Sequence, residues 1–272
     1  MEQNGKSQPT DNFLLTLMIG NSRLHWGLFI NGKLDQTSNT EHLPTGSQKS
    51  KVKNQKSEIE LQSLISPHLP ISPPPDLPLL IASVVPEQTA KWQNYPNAEF
   101  ITLDQIPLTR MYSTLGIDRA LAVFGAGKNY GFPILVIDAG TALTFTGADA
   151  NQNLIGGAIL PGLGLQFTSL GQKTGQLPLL KVREVQELPP RFALDTKSAI
   201  ESGIIYTLLA GIKDFIDDWL LSFPDSQIAM TGGDSELLGS YLKQQFTEIG
   251  EQIILDQNLI FWGMKELNRR VC

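Results

Sequence analysis

Asp118 and Arg119 in Gly116-Ile117-Asp118-Arg119, and Asp138 in Asp138-Ala139-Gly140-Thr141-Ala142, are the residues of this chain best suited to chemistry. A carboxylate beside a helix start and an arginine is equipped to take a proton from a substrate hydroxyl while the arginine fixes an anion. Asp138 ends an apolar run at a glycine turn, where a carboxylate suits a cation that offsets phosphate charge. Both have plainer readings. Asp118 is also an N-cap, with Arg119 an exposed first-turn residue, and Asp138 is also a turn former bonding its own backbone. Thr231-Gly232-Gly233-Asp234 joins a short strand to a helix. Its glycines admit a flat ligand such as an adenine or ribose, or simply make a tight turn with Asp234 as the cap.

The elements that hold these residues are visible in an internal echo. Leu17 to Gly27 lines up without gaps on Ile137 to Gly147. In each, an apolar run ends in a glycine turn carrying a small hydroxyl or amide side chain, and a second β-rich run leads away. Glycine there brings backbone N–H groups up to an anion, although one such turn alone is most simply a hairpin. Two in register predict a duplicated domain closing on a polyphosphate from both sides. The copies differ where the second has Asp138 and the first has Met18.

Residues 13–43 read as a three-stranded meander with turns at Gly20-Asn21 and Asn31-Gly32. Gly46 to Lys56 is polar and Ser66 to Pro78 is dense in prolines, which predicts long loops around at most one short helix. Leu77 to Val85 is a buried strand, and 118–129 a helix. Phe132 to Asp138, its hairpin and Leu154 to Leu160 follow, then a turn at Pro161-Gly162-Leu163-Gly164. Thr196 to Phe223 is apolar at helical spacing over much of its circumference, so part of that stripe is expected to pack against a second subunit. Ser226 to Met230 is a strand, a helix carries Leu237, Leu238 and Leu242, and a last helix covers about 258–270. Three strands followed by helices interleaved with single strands occur twice, the order of a ribonuclease H-like fold. The expectation is α/β with two such domains: 13–128, with a Pro-rich insertion at about 44–76, and 129–272.

The formal charge of −6 and the want of a dense basic cluster, a few lysines at Lys49 to Lys56 apart, argue against nucleic acid as a partner. No apolar run is long enough to span a membrane, and the polar first dozen residues predict no signal peptide. The single cysteine, Cys272, has no partner for a disulfide or a metal site, which fits a reducing compartment and a cytoplasmic protein. His25, Trp26 and Trp92 read as packing or surface residues.

Two phosphate hairpins with a late Gly-Gly turn resemble the superfamily of acetate and sugar kinases, heat-shock chaperones and actin. Ile19-Gly20-Asn21-Ser22, Gly116-Ile117-Asp118-Arg119, Asp138-Ala139-Gly140-Thr141-Ala142 and Gly156-Gly157-Ala158-Ile159-Leu160-Pro161-Gly162 together are narrower. With Asp195-Thr196, Ser198-Ala199-Ile200 and Gly203-Ile204-Ile205-Tyr206, they resemble the type III pantothenate kinases from residue 13 to 270, the insertion excepted. The resemblance implies ATP-dependent phosphorylation of the pantothenate 4′-hydroxyl, the first step towards coenzyme A, in a cleft between two actin-like ATPase domains. It implies Asp118 as proton acceptor, and Gly116, Ile117, Asp118, Arg119 and Thr196 as pantothenate ligands. Tyr112 is the natural match for a family tyrosine, at a shorter spacing. Asp138 would bind a monovalent cation (K⁺ or NH₄⁺), Thr141 an ATP phosphate, and Gly20, Asn21, Ser22, Arg23, Leu24 and His25 would cradle ATP, with Mg²⁺. It also implies a homodimer.

One departure matters. The family opens Asp-x-Gly-Asn-Thr, whereas this chain has Met18-Ile19-Gly20-Asn21-Ser22. Serine keeps the hydroxyl, but a thioether is a poor ligand for Mg²⁺. Either Mg²⁺ is held mainly by nucleotide phosphates and water, or the copy is a non-catalytic nucleotide-binding regulator on the same fold. A kinase for another small hydroxy acid or sugar is the remaining enzyme reading.

Overall fold

Strands β1 (Phe13–Ile19) and β2 (Leu24–Ile30) are almost wholly apolar and buried, as the inner strands of a covered sheet must be. The polar β3 (Lys33–Thr40) alternates exposed and half-buried positions and forms the edge. The expected meander is therefore present, antiparallel throughout. β4 (Leu79–Ser83) runs parallel to β1, and after the short α1 (Pro86–Thr89) the three-residue β5 (Ala98–Phe100) runs parallel to β4. The sheet order is β3-β2-β1-β4-β5. This computed structural model describes residues 12–43, 77–182 and 187–268, so the insertion at 44–76 lies outside the described residues.

Next come α2 (Ile117–Tyr130), β6 (Ile134–Ala139), β7 (Ala142–Ala148), β8 (Leu154–Pro161), α3 (Leu163–Lys173) and α4 (Thr196–Ser222). β9 (Gln227–Thr231), α5 (Ser235–Gln245), α6 (Thr247–Gln252), β10 (Ile253–Leu255) and α7 (Leu259–Glu266) complete the described chain. Their sheet has the order β8-β7-β6-β9-β10, the same path as the first, element for element. The chain divides into two compact units, one running to Thr102 and resuming at Met264, the other Leu103–Gly263.

One sequence expectation needs correction. Pro161 closes β8, Gly162 is an N-cap, and Leu163 and Gly164 belong to the first turn of α3, not to a free turn. Two glycines and four hydroxyl or amide side chains dilute the periodicity of that helix, but Leu163 and Phe167, four residues apart, anchor it in the core. Most of the apolar stripe of α4 serves its own unit, while Phe215 of that stripe is 43% exposed. Ile200, Ile204, Ile205, Leu208, Leu209, Ile212, Ile216 and Trp219 are all buried in the core of their own unit.

The echo is exact on the first strand and breaks after the turn. Met18 pairs with His25, whereas Asp138 pairs with Thr144, so the second hairpin is one residue shorter than a gap-free match requires. Side chains alternate along a strand, so this slip decides which ones face the core. It sets Trp26 in correspondence with Phe145, and each lies in the core of its own unit. Trp26 meets the fully buried Trp92 edge to face, with ring centroids 5.4 Å apart, so both are packing residues as expected.

Candidate active site

In the second unit, β6 delivers Asp138 to its carboxyl end, and the N-terminus of α2 delivers Asp118 and Arg119. Gly116 is the N-cap of α2, so Asp118 sits in the first helical turn instead of capping it. Its Oδ1 accepts a hydrogen bond from the Arg119 N–H at 2.8 Å. Burial raises the Asp118 carboxyl above the usual carboxylate range, while that N–H and the Arg119 guanidinium pull the other way.

Asp138 is the more perturbed group. Burial, then the nearby negative charge of Asp118, push its carboxyl up to about 7. Its side chain makes no hydrogen bond or ion pair among the described residues. Two turns close over it. Gly140 donates its N–H to the Ala142 carbonyl at 3.1 Å, and Gly232 stands at φ +93°. A Cβ on Gly232 would overlap both Asp138 Oδ1 and the Ala139 backbone, so no other residue fits that turn. Asp234 occupies the N-cap position of α5 but makes no side-chain cap bond, and its own N–H bonds the Ala139 carbonyl at 2.9 Å. The late Gly-Gly turn thus clamps the end of β6.

Arg119 is not the exposed residue of the plainer reading. It is 7% exposed, and each of its three nitrogens donates to a neutral group. Nε reaches Thr146 Oγ1 at 2.9 Å, Nη1 the Tyr112 hydroxyl at 3.0 Å and Nη2 the Phe145 carbonyl at 2.9 Å. Tyr112 is 44% exposed and so joins this cluster from the solvent side. Thr141 is exposed at the β6–β7 turn. Thr196 is exposed in the first turn of α4, after the Asp195 N-cap, and makes no side-chain hydrogen bond among the described residues. Ile117 is buried and can offer only its backbone.

In the first unit, the Gly20 N–H bonds the Arg23 carbonyl at 3.0 Å, leaving Asn21, Ser22 and Arg23 exposed on a wider turn. Leu24 is buried in the core, which limits it to backbone contacts with any ligand. His25 Nδ1 lies 2.6 Å from Asn39 Oδ1, and burial lowers the pKa of its ring. His42 Nε2 donates to the Gly20 carbonyl at 2.8 Å, a tie to the turn that no local motif announces. Met18 is 1% exposed, between His25 and Ala82 in the sheet register. Among the described residues no three His, Cys, Asp or Glu side chains gather as a metal site.

The family of type III pantothenate kinases matches residues 14–218. The chain belongs to that family. A type III pantothenate kinase of Nostoc sp. is 55% identical over 263 residues, covering 94% of this chain and 95% of the relative. One from Synechocystis sp. is 42% identical, covering 95% and 92%. Among solved structures, a conserved Baf-family protein from Campylobacter jejuni superposes on this kinase with TM-score 0.61 at 23% identity, over 94% of this chain and 98% of that one. The Clostridium difficile activator of 2-hydroxyisocaproyl-CoA dehydratase, with bound ADPNP, gives 0.50 at 13%, over 95% and 96%. Those two likenesses establish the fold alone: this kinase has an α/β architecture of two mixed sheets with helices. No helix among its described residues is long and apolar enough to cross a membrane.

Proposed function

We propose that this kinase transfers the γ-phosphoryl group of ATP to the 4′-hydroxyl of pantothenate, giving 4′-phosphopantothenate and ADP, the first step towards coenzyme A. Family membership supports the reaction. The observation that carries the chemistry is the pair of half-buried carboxylates, Asp118 hydrogen-bonded to one N–H and Asp138 without a partner among the described residues. As the hydroxyl oxygen forms its bond to phosphorus and the bond to ADP breaks, the hydroxyl proton passes to Asp118. The raised proton affinity of that carboxyl matches a general base better than an ordinary surface aspartate does.

Tyr112, Gly116, Ile117, Arg119 and Thr196 line the pantothenate side in this reading. Thr141 takes an ATP phosphate, and the Gly20–His25 turn offers N–H, hydroxyl and amide groups to ATP. A half-buried carboxylate without a partner among the described residues fits a monovalent cation at Asp138, which when bound would supply positive charge for the phosphates. Among the described residues no three carboxylate or imidazole donors gather for Mg²⁺, so in this reading it is carried by the nucleotide phosphates and water. A homodimer is supported by the family resemblance and by the exposed Ile155 and Ile159 on one face of the edge strand β8. Sedimentation as a single species near 30 kDa at micromolar concentration would count against it. We assign the enzyme to the cytoplasm, where ATP is made and its single cysteine stays reduced.

The test is a coupled ADP-release assay over a panel of small hydroxylated acids and sugars, in potassium and in sodium. Turnover confined to pantothenate and supported by K⁺ or NH₄⁺ is expected. A preference for another hydroxyl acceptor overturns the substrate, and equal rates in sodium and potassium overturn the cation at Asp138. ATP binding without turnover on any acceptor would favour the regulatory reading that Met18 raises.

A further inference from the structure

Thr146 lies in the middle of β7 with 1% of its surface exposed. A buried threonine at that depth needs a partner, and its Oγ1 finds one in Arg119 Nε, 27 residues earlier in the chain. The same strand supplies the Phe145 carbonyl to Arg119 Nη2. Two adjacent residues of β7 thereby grip adjacent nitrogens of one planar guanidinium, which fixes both its position and the tilt of its plane. The third nitrogen, Nη1, is then aimed at the Tyr112 hydroxyl. Gly157 on β8 leaves room for this arrangement. A Cβ there would overlap the Phe145 carbonyl oxygen and crowd Arg119 Nη2. None of the four ion pairs among the described residues includes Arg119, so no carboxylate holds the guanidinium in its place.

We infer that Thr146 is a positioning residue for the acceptor side of the reaction: through its Oγ1 it sets the plane of Arg119, and through Arg119 the Tyr112 hydroxyl. The inference rests on the pantothenate kinase reading for its kinetic consequence but not for its geometric one. Thr146→Val keeps the branched shape and replaces the hydroxyl, which accepts from Arg119, by a methyl group, whereas Thr146→Ser keeps the hydroxyl and loses a methyl group.

The experiment has two independent arms on the full chain. In the ligand-free protein labelled with ¹⁵N-arginine, hydrogen exchange at the Arg119 Nε–H, assigned by its loss in Arg119→Lys, is expected to be slow. It should be at least tenfold faster in Thr146→Val and near the wild-type rate in Thr146→Ser. In steady state, KM for pantothenate is expected to rise tenfold or more in Thr146→Val, with KM for ATP within twofold and Thr146→Ser within threefold of wild type in both. Unchanged exchange in Thr146→Val overturns the geometric link whatever the enzyme's activity. Unchanged pantothenate KM, or an equal rise in both KM values, overturns the positioning role. An inactive wild type with the expected exchange pattern would leave the Arg119 geometry supported and overturn the kinase reading instead. Should Thr146→Val fail to fold, Tyr112→Phe at the exposed end of the chain of contacts replaces it in the kinetic arm, with the same expected split. A normal pantothenate KM in that variant overturns the inference.

Discussion

The carboxylate of Asp118 raises the proton affinity of Asp138, adding to the effect of burial that takes the Asp138 carboxyl to about 7. Two neighbouring, half-buried acids cannot both carry full negative charge cheaply without a counter-charge. One of them, Asp118, keeps a backbone N–H and a guanidinium to support its charge; the other has only what a ligand brings. The proposed roles, base for Asp118 and cation holder for Asp138, rest on this asymmetry.

Asp118→Asn is expected to lower kcat by roughly 10²–10⁴-fold with little change in ATP binding. The amide oxygen can still accept the Arg119 N–H, so the melting temperature should stay close to wild type. Near-normal turnover in the folded variant would remove Asp118 as the base.

Asp138 makes stability depend on pH in a definite direction. Its folded pKa, about 7, lies above the ordinary value of 3.8, so the folded state binds the proton more tightly than the unfolded state does. The associated stability is fully present below about pH 4 and is lost as pH rises through 7. In potassium-free buffer, Asp138→Asn should therefore melt higher than wild type at pH 8, with the gap closing towards pH 4. Parallel melting curves for the two proteins across that range would contradict the burial of an unpartnered charge.

Met18 sits in a fully packed strand, so Met18→Asp introduces a buried carboxylate, with His25 and Ala82 as its neighbours in the sheet register. The expected result in metal-free buffer is a loss of about 1–3 kcal/mol of stability. Mg²⁺ with ATP should recover more of that loss than it adds to the wild type, because the new carboxylate gains a cation. Thermal melts with and without Mg²⁺ and ATP decide it; equal ligand-induced shifts in the two proteins would show that position 18 does not reach the metal.

His42 fixes the first hairpin from outside its own sequence by donating to the Gly20 carbonyl. His42→Leu should raise KM for ATP by about fivefold, the worth of roughly 1 kcal/mol for one such bond, and leave KM for pantothenate unchanged. Initial-rate titrations of each substrate provide the check, and an unaltered KM for ATP would detach His42 from the nucleotide turn.

Local pattern alone was enough for the meander at 13–43, the helix from Thr196, the glycine turns, and Asp118 and Asp138 as the acids at strand and helix ends. Each depends on residues within a few positions of one another: alternation, helical spacing, or a glycine where a strand stops. Helix α3 escaped that reading because its stability comes from Leu163 and Phe167 meeting a core built by distant strands, and its own composition reads as a turn. The one-residue difference between the hairpins escaped for a related reason. Strand register is set by which side chains the rest of the core accepts, and only the assembled sheet shows Trp26 and Phe145 in corresponding places. Thr146 and Gly157 carry no motif at all; they acquire meaning because β7 and β8 fold back onto the start of α2 and meet Arg119 there. The sequence by itself thus determined the chemical groups and the elements that bear them. The tertiary structure decided which of those groups are buried and which are paired, because burial and pairing are properties of neighbours brought from far along the chain.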